Sequence, residues 1–590
     1  MNGRYDTRDG IAVVCMDTPP VNSLGLANRR FIADAMERAL GDAAVRAVVL
    51  TGAGRGFSGG ADIREFGAPE AMAEPHLLNL IDLIEGADKP VVAAIHGVVM
   101  GGGLELAMGC HYRVVAPGTL VALPEVKLGL LPGGSGTQRL PRLLGVERAL
   151  NMIVTGDPVK SEVLCAVPGQ KLFDRLVEGD LLAAACAFAH DVAGVRPLPR
   201  VRAMQASHPN AAAYFQFARN TIRARAPQYP APLRNVDCVE KAVTARYEDG
   251  LAEERAGFMA LLDTPESKAL RHAFFGERAA AHIADVPADT PRRPIERVAV
   301  VGAGAVAQDI ATSLRNAGVQ VTVFEAGPLA GEGVRGADLV VDAVPEDLAA
   351  RESVIRLLDE MARPGAILAS GTGTPDLNRL AASTRRPQDV VGLQFQGAGL
   401  IEVVRGAQTA PDVLATVMAL ARRLGRTAVV SYGGGASIGS RLSQAYARQA
   451  GRMLAEGTTP RQIDRAIERF GVARGPFRDA APQPAVAKVP PRQLTDDEIV
   501  HRLVYALANE GARLLDEGVA ARASDIDMVF LAGHGFPRWR GGPMCYADTR
   551  GIFEMMQTMR RFAANPHDDA AFWQPAPRLV RLLEQGKTLT

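Results

Sequence analysis

The sequence is poor in cysteine and has neither a long apolar run nor a bias of charge. Its six cysteines in 590 residues lie far apart and form no Cys-x-x-Cys pair, which argues against a zinc site or a disulfide framework and favours a reducing compartment. The 66 Lys and Arg residues nearly balance the 65 Asp and Glu residues, so the composition does not indicate a nucleic-acid-binding protein. No apolar stretch approaches the roughly 20 residues that span a bilayer, and the N-terminus lacks the plan of a signal peptide. These absences predict a cytoplasmic protein with no metal site, nucleic-acid partner or membrane span.

The first part of the chain alternates short apolar runs with longer helical patterns. Apolar runs at Ile11–Met16, 47–50 and Val91–Ile95 predict buried strands. Each run ends in a glycine-rich or polar turn, and such turns often carry the functional residues of α/β folds. We therefore expect an α/β domain with its functional residues in these turns.

The rest of the chain changes character twice. Residues 180–285 have a helical pattern, and the proline-rich stretch 287–294 predicts a linker. A strand at 297–301 then begins a second α/β segment that extends to residue 430. The remainder is helical, apart from a second proline-rich connector at 480–491. The predicted fold class is thus α/β and multidomain.

A pair of glutamates lies next to glycine turns in the first segment. Three glycines at 101–103 precede an apolar helical run that contains Glu105, and such a turn exposes backbone N–H groups at a helix N-terminus. These donors can hold the oxygen of a thioester enolate, and a second glycine turn at 58–62 can supply another donor. Glu125 follows twenty residues after Glu105 (125 − 105 = 20). Adding water to a conjugated double bond needs one group that activates water and one that protonates carbon, and two carboxyl groups can divide these roles.

Three stretches of this segment resemble the crotonase (enoyl-CoA hydratase/isomerase) family. They are SGGADI at 58–63, IHGVVMGGGLELAMGC at 95–110 and LPEVKLGLLPGGSGTQRLPRLLG at 123–145. The resemblance implies a ClpP/crotonase-like fold that handles a CoA thioester, with Glu105 and Glu125 as the catalytic pair. It also implies that Ala61 and Gly102 provide the N–H donors of an oxyanion hole. Because both acids are kept, hydration or double-bond isomerisation is favoured over the hydrolase, dehalogenase and C–C lyase branches of the family.

The second α/β segment opens with a dinucleotide-binding pattern. Gly302, Gly304 and Ala307 follow the predicted strand at 297–301 in a GxGxxA arrangement, which permits a tight turn and a close approach of a pyrophosphate. The next predicted strand ends in Glu325. An acid at this position binds ribose hydroxyls and repels a 2′-phosphate, so NAD is predicted rather than NADP.

Further text in this half resembles the 3-hydroxyacyl-CoA dehydrogenase family, notably GADLVVDAVPEDL, DVVGLQFQGAGLIEVVRG and GFPRWRGGPMCYADTRG. The helical text CVEKAVTARYEDGL and ALRHAFFGERAAAHI looks like the linker of the multifunctional β-oxidation enzymes, so the resemblance covers nearly the whole chain. It implies a crotonase-like domain, a helical linker, a Rossmann-like NAD-binding domain and two helical dehydrogenase C-terminal modules. Their predicted ranges are 1–190, 191–290, 291–432, 433–485 and 486–590.

The chain departs from the dehydrogenase pattern at the positions that carry polar and catalytic residues in that family. The family's catalytic histidine falls at Gln394, while the glutamate that orients this histidine is kept as Glu402. A hydroxyl-bearing position of the family falls at Gly373, and a later helix asparagine falls at Ser440. A helical hairpin that the family inserts after the ribose-binding acid is missing, since only residues 326–336 bridge that gap.

These departures predict a dehydrogenase half with little or no activity. Oxidation of a 3-hydroxyl group requires a base for the hydroxyl proton, and an amide cannot take this role. One alternative is an active bifunctional hydratase/dehydrogenase in which another residue is the base, with His534 as the candidate. A second alternative is a non-catalytic CoA- or NAD-responsive scaffold for a partner such as a thiolase.

Overall fold

The structure is a computed structural model of the chain, and it describes residues 2–324, 331–344, 348–371, 376–479 and 493–590. The described chain divides into two compact units, Met1–Lys268 and Ala269–Thr590. The five predicted domain ranges stay predictions, although the helices between 191 and 268 belong to the first unit.

The first unit combines nine strands with eleven complete helices. The strands are β1 (Gly3–Arg8), β2 (Ile11–Met16), β3 (Ala47–Gly52), β4 (Val91–Ile95), β5 (Val98–Met100), β6 (Tyr112–Val115), β7 (Leu120–Ala122), β8 (Val159–Lys160) and β9 (Arg175–Leu176). The helices are α1 (Leu26–Gly41), α2 (Pro69–Met72), α3 (Leu77–Gly86), α4 (Gly102–Gly109), α5 (Gly136–Leu144), α6 (Val146–Thr155), α7 (Ser161–Cys165), α8 (Leu181–Val192), α9 (Ala211–Arg225), α10 (Pro230–Thr244) and α11 (Tyr247–Leu262). Helix α12 (Pro265–Ala280) spans the boundary between the units.

Six strands of the first unit form one sheet in the order β1-β2-β3-β4-β6-β9. Only the β1–β2 pair is antiparallel, and the other neighbours are parallel. Strands β5, β7 and β8 form a separate small sheet. The predicted strands β2, β3 and β4 are confirmed, and they are fully or almost fully buried. Alternate side chains of β3 enter two different cores, one on each face of the sheet, as the two-residue period of a strand requires.

The second unit contains one seven-stranded sheet and a helical region. Its strands are β10 (Arg297–Val301), β11 (Gln320–Phe324), β12 (Leu339–Asp342), β13 (Ile367–Ser370), β14 (Val390–Gln396), β15 (Leu400–Val404) and β16 (Thr427–Ser431). Its helices are α13 (Ala305–Asn316), α14 (Gly331–Arg335), α15 (Leu348–Met361), α16 (Leu377–Ala382), α17 (Pro411–Arg423), α18 (Ile438–Ala455), α19 (Pro460–Phe470), α20 (Asp496–Asp516), α21 (Ala523–Gly533), α22 (Pro543–Arg550), α23 (Ile552–Ala563) and α24 (Pro577–Glu584).

The seven-stranded sheet has the order β11-β10-β12-β13-β14-β15-β16, and all its pairs are parallel except β14–β15. Val298 and Val300 pack on one face of the sheet, whereas Ala299 and Val301 pack on the other. Both faces are therefore covered, as in other parallel α/β sheets. The predicted Rossmann-like architecture and the helical C-terminal region are confirmed.

The two proline-rich stretches differ in what the structure describes. Residues 287–294 contain no helix or strand, in agreement with the predicted linker, whereas residues 480–491 lie outside the described residues. Among the described helices, none is both long and apolar enough to cross a membrane.

Candidate active site

Glu105 lies in the first turn of α4 and is 2% exposed. Its Oε1 accepts hydrogen bonds from the backbone N–H groups of Gly134 at 2.8 Å and Gly136 at 2.7 Å. A β-carbon on Gly134 would lie 2.7 Å from Oε2 of Glu105, and one on Gly136 would lie 2.8 Å from Oε1. The glycine-rich stretch after Glu125 thus lets the backbone approach the carboxyl group of Glu105.

Glu125 begins a short 3₁₀ turn, Glu125–Leu128, which follows β7. Its Oε2 is buried and has no hydrogen-bond partner within the described part of the chain. Gly101 has φ +52°, and a β-carbon there would lie 3.0 Å from Oε1 of Glu125. Glycine at 101 therefore permits both a left-handed turn into α4 and the close approach of Glu125.

The two predicted oxyanion donors lie close together. A β-carbon on Gly102 would lie 3.2 Å from the backbone nitrogen of Ala61. Gly102 is the first residue of α4, so its N–H group has no acceptor within the helix. Neither N–H group donates to another backbone or side-chain acceptor in the described residues. The two N–H groups are thus available to one oxygen atom.

A cavity of about 540 Å³ brings these groups together, a volume in the usual range for small-molecule sites. Its lining includes Glu105, Glu125, Ala61 and Gly102. Most of its exposed wall is apolar, with side chains from several elements of the first unit: Leu24, Phe66, Leu77, Leu128, Phe258 and Leu262. An apolar acyl chain fits such a wall, and the buried carboxyl group of Glu105 lies beside it.

The two carboxyl groups titrate well above the ordinary range. Burial raises the pKa of Glu105 to about 7, against the opposing effects of the Gly136 and Gly134 N–H groups and of the Arg139 charge. Burial raises the pKa of Glu125 well above its ordinary value, and the charge of Glu105 raises it further. Glu105 is therefore the carboxyl group that ionises more readily, because it alone accepts two N–H bonds.

Sequence reasoning missed a third buried glutamate and one wall of the cavity. Glu254, in α11, is 0% exposed and accepts hydrogen bonds from Ser135 and Thr137. The same helix lines the cavity with Arg255, Phe258 and Met259. No motif marks these positions, since the helical pattern alone does not show which of its residues meet a loop 119 residues earlier.

The predicted dinucleotide turn has the expected local structure. Gly302 follows β10, and Gly304 caps α13. A β-carbon on Gly302 would lie 2.4 Å from the carbonyl oxygen of Ala343, while none of the described atoms lies within 4 Å of such a carbon on Gly304. Ala307 is buried in α13. These residues fit the phosphates of a dinucleotide at a helix N-terminus, whereas Glu325 lies outside the described residues.

Gln394 and Glu402 occupy directly opposed positions on β14 and β15. Oε1 of Gln394 accepts from Oγ of Ser437 at 2.9 Å, and the same Oγ lies 3.0 Å from Oγ of Ser440. Glu402 is fully buried, and burial raises its pKa although Ser431 and other donors oppose this effect. The structure thus brings Gln394, Glu402 and Ser440 into one polar cluster. Gly373 lies outside the described residues.

His534 joins this cluster through a residue that the sequence did not single out. Its Nε2 lies 2.9 Å from Oε1 of Gln396, and Nε2 of Gln396 donates to Oε2 of Glu402 at 2.9 Å. Because Glu402 accepts from the amide nitrogen, the amide oxygen faces His534 and accepts from its Nε2–H. Burial lowers the pKa of His534, which leaves Nδ1 as the unprotonated nitrogen of the neutral ring.

Comparison with known proteins identifies the family of the chain. A peroxisomal bifunctional enzyme of Danio rerio is 32% identical to this chain, over 99% of the chain and 97% of the relative. The human peroxisomal bifunctional enzyme is 31% identical, over 98% and 96%. The chain belongs to the family of multifunctional β-oxidation enzymes. This family fuses a crotonase-type enoyl-CoA hydratase region to 3-hydroxyacyl-CoA dehydrogenase domains.

Family models divide the chain in the same order as its motifs. Enoyl-CoA hydratase/isomerase matches residues 6–165, the NAD-binding domain of 3-hydroxyacyl-CoA dehydrogenase matches 330–433, and its C-terminal domain matches 499–589. The NAD-domain match begins after the turn at 302–307. Among solved structures, an enoyl-CoA hydratase from Bacillus anthracis is 25% identical, with a TM-score of 0.31, over 47% of this chain and 96% of that protein.

Two further points follow from the full-length relatives of this multifunctional enzyme. The alignment with the Danio rerio protein extends over 707 positions, so at least 117 of them (707 − 590) have no residue in this chain. Both relatives are named peroxisomal, so the predicted cytoplasmic location is not confirmed.

Proposed function

We propose that the first unit hydrates a trans-2-enoyl-CoA, with Glu105 as the base and Glu125 as the acid. The observation that carries this proposal is the pair of carboxyl groups on one apolar cavity, of which only Glu105 accepts two backbone N–H bonds. A pKa of about 7 lets Glu105 accept a proton near neutral pH. The pKa of Glu125 is raised well above its ordinary value, so this residue keeps the proton that the reaction needs.

The reaction balances with these groups alone. Glu105 removes a proton from water as the oxygen attacks C3 of the enoyl thioester, and the electron pair of the double bond moves to the thioester oxygen. The N–H groups of Ala61 and Gly102 hold this oxygen as it gains charge. Glu125 then donates its proton to C2, and the thioester carbonyl forms again. Proton exchange between Glu105, Glu125 and solvent restores both groups for the next turnover.

Isomerisation of a 3-enoyl-CoA uses the same carboxyl groups without water addition. One carboxylate removes a proton from C2, and the same or the second group returns a proton to C4. Both reactions pass through the enolate that the N–H pair holds. Assays with a 2-enoyl-CoA and a 3-enoyl-CoA separate the two activities.

The decisive experiment follows the loss of the conjugated thioester absorbance when purified protein meets a short trans-2-enoyl-CoA. We expect hydration by the wild-type chain and a loss of 10²-fold or more in Glu105→Gln and in Glu125→Gln. Glu253→Gln is the matched control, because Glu253 lies on α11, forms an ion pair with Arg234 at 2.9 Å and is not among the residues that line the cavity. A wild-type rate in either catalytic variant would refute the proposal.

For the dehydrogenase half, we propose binding of NAD without appreciable oxidation of a 3-hydroxyacyl-CoA. The turn at Gly302 and Gly304 supports dinucleotide binding, and bound NAD would supply the hydride acceptor. Gln394 stands where the family resemblance expects the base, and an amide cannot accept the hydroxyl proton. The rate loss expected from a missing base is about 10²–10⁴-fold. Calorimetric titration with NAD, together with an assay for NADH formation, tests both parts of this proposal.

A second candidate function is an active dehydrogenase in which His534 is the base. The contacts from His534 through Gln396 to Glu402 favour it, because a hydrogen bond from Nε2–H leaves Nδ1 free to accept a proton. NADH formation that is lost in His534→Gln but kept in Gln394→Ala would establish this function. NADH formation that survives His534→Gln would exclude His534 as the base.

Assembly of this chain with a thiolase is a further prediction. Co-elution of the full chain with a thiolase from the same source, measured by gel filtration of the mixture, would support it. Separate elution at micromolar concentrations would argue against a stable complex.

A further inference from the structure

The loop that holds Glu105 lies between two buried glutamates. The N–H groups of Gly134 and Gly136 donate to Glu105, at 2.8 and 2.7 Å. The N–H groups of the alternate residues, Ser135 and Thr137, donate to Glu254 at 2.6 and 2.9 Å. Four consecutive N–H groups thus alternate between a glutamate of α4 and a glutamate of α11.

Glu254 has an environment in which its carboxyl oxygens accept hydrogen bonds. It is 0% exposed, and its side chain accepts three hydrogen bonds, from the two N–H groups and from the hydroxyl of Thr137. The Thr137 hydroxyl itself accepts from Nε2 of Gln138 at 3.0 Å, which directs its proton toward Glu254. No Lys, Arg or His side chain forms an ion pair with Glu254 among the described residues.

Ser135 shows why the loop needs such a partner. It has φ +78°, in the left-handed region that non-glycine residues rarely adopt. A strained residue persists when its surroundings hold it in place. The N–H group of Ser135 donates to Glu254, and its Oγ accepts from Nε of Arg139 at 2.7 Å. The conformation that directs Gly134 and Gly136 at Glu105 is therefore fixed from the opposite side.

We propose that Glu254 is a positioning residue of the hydratase centre, which holds the loop 134–137 so that its other N–H groups orient Glu105. This inference rests on the proposed hydratase function and adds a residue to it. It also makes helix α11 part of the centre, since Phe258 of this helix lines the same cavity. A region whose sequence indicates only a linker then helps to build the hydratase centre.

The electrostatics of the site agree with this arrangement. Burial and, to a lesser extent, the charge of Glu105 together raise the pKa of Glu254 to about 8, against the opposing effects of the Thr137 and Ser135 donors. Two carboxyl groups that share one loop therefore resist simultaneous ionisation. Loosening of the loop would withdraw the N–H groups of Gly134 and Gly136, and the pKa of Glu105 would rise.

The test compares Glu254→Gln, Glu254→Asp and the matched control Glu253→Gln in the full chain, with hydration measured across pH. An amide presents only one oxygen to the donors of the loop, so Glu254→Gln should lower kcat by about 10²-fold. Its KM should stay within about threefold, since the cavity wall is unchanged. The acid limb of the kcat profile should move to higher pH. Glu254→Asp keeps the carboxyl group with both of its oxygens and should recover at least tenfold of the loss, whereas Glu253→Gln should match the wild type.

An unshifted acid limb with wild-type kcat in Glu254→Gln would overturn the proposal, and so would a fall in kcat that Glu254→Asp does not relieve. If Glu254→Gln fails to fold, Thr137→Val removes only the hydroxyl donor and should lower kcat a few-fold with the same shift of the limb. A wild-type profile in Thr137→Val would then overturn the proposal. Full activity in Glu105→Gln would instead refute the hydratase function itself.

Discussion

Replacement of Glu105 by glutamine should lower hydration by 10²-fold or more and stabilise the protein. The pKa of this buried carboxyl group rises from its ordinary 4.5 to about 7, so its ionisation is disfavoured in the folded state. At about 1.4 kcal/mol for each pKa unit, the folded state with ionised Glu105 is destabilised by about 3 kcal/mol. The amide oxygen of glutamine can still accept both N–H bonds of Gly134 and Gly136, and it carries no charge.

The stabilisation should depend on pH with a definite sign. Below pH 4.5 the carboxyl group is protonated in the folded and the unfolded chain, so the variant gains nothing. Between pH 4.5 and about 7 the folded state holds the extra proton, and the stability of the wild type falls as pH rises. Above pH 7 the full difference of about 3 kcal/mol applies.

Differential scanning calorimetry at pH 5 and pH 8 measures this effect on the first unit. For a unit of this size, about 3 kcal/mol corresponds to an increase in Tm on the order of 6 °C at pH 8, with a much smaller increase at pH 5. Glu85→Gln is a control of opposite sign: burial raises the pKa of Glu85, but the bonds and charge of Arg139 outweigh burial and leave the pKa low. A Glu105→Gln variant that is less stable than the wild type at pH 8, or equally shifted at both pH values, would refute the reasoning.

Three further variants test other parts of the structure. Gly134→Ala should lower hydration by at least 10²-fold, since its β-carbon would lie 2.7 Å from Oε2 of Glu105; unchanged kinetics would contradict this placement. Gln394→His should increase NADH formation from a 3-hydroxyacyl-CoA by 10²-fold or more, because it restores a base opposite Glu402; an NADH assay without any gain would show that more than the base is missing. Arg502→Leu should destabilise the second unit by about 3–5 kcal/mol, since two buried carboxylates lose their partner; calorimetry showing an unchanged transition would contradict this.

The sequence by itself determined the classes of structure and pointed to the two glutamates that we propose as the catalytic pair. Apolar runs such as Ile11–Met16 became buried strands because their length and neighbours admit few other buried structures. Glu105 and Glu125 stand beside glycine turns that the family text marks, and the structure brings both to one cavity. The replacement of the family's histidine by Gln394 could also be predicted from the sequence, because it depends only on which residue occupies that position.

Only the tertiary structure decided which distant residues contact the groups of the two sites. Glu254 contacts a loop 119 residues before it, and His534 contacts Gln396 over 138 residues. No local period encodes such contacts, because they depend on how whole helices pack. The pKa of Glu105 follows the same rule, since burial and two N–H bonds from a distant loop set its value. Local sequence therefore specified the chemical groups, whereas long-range packing specified their partners and their charge.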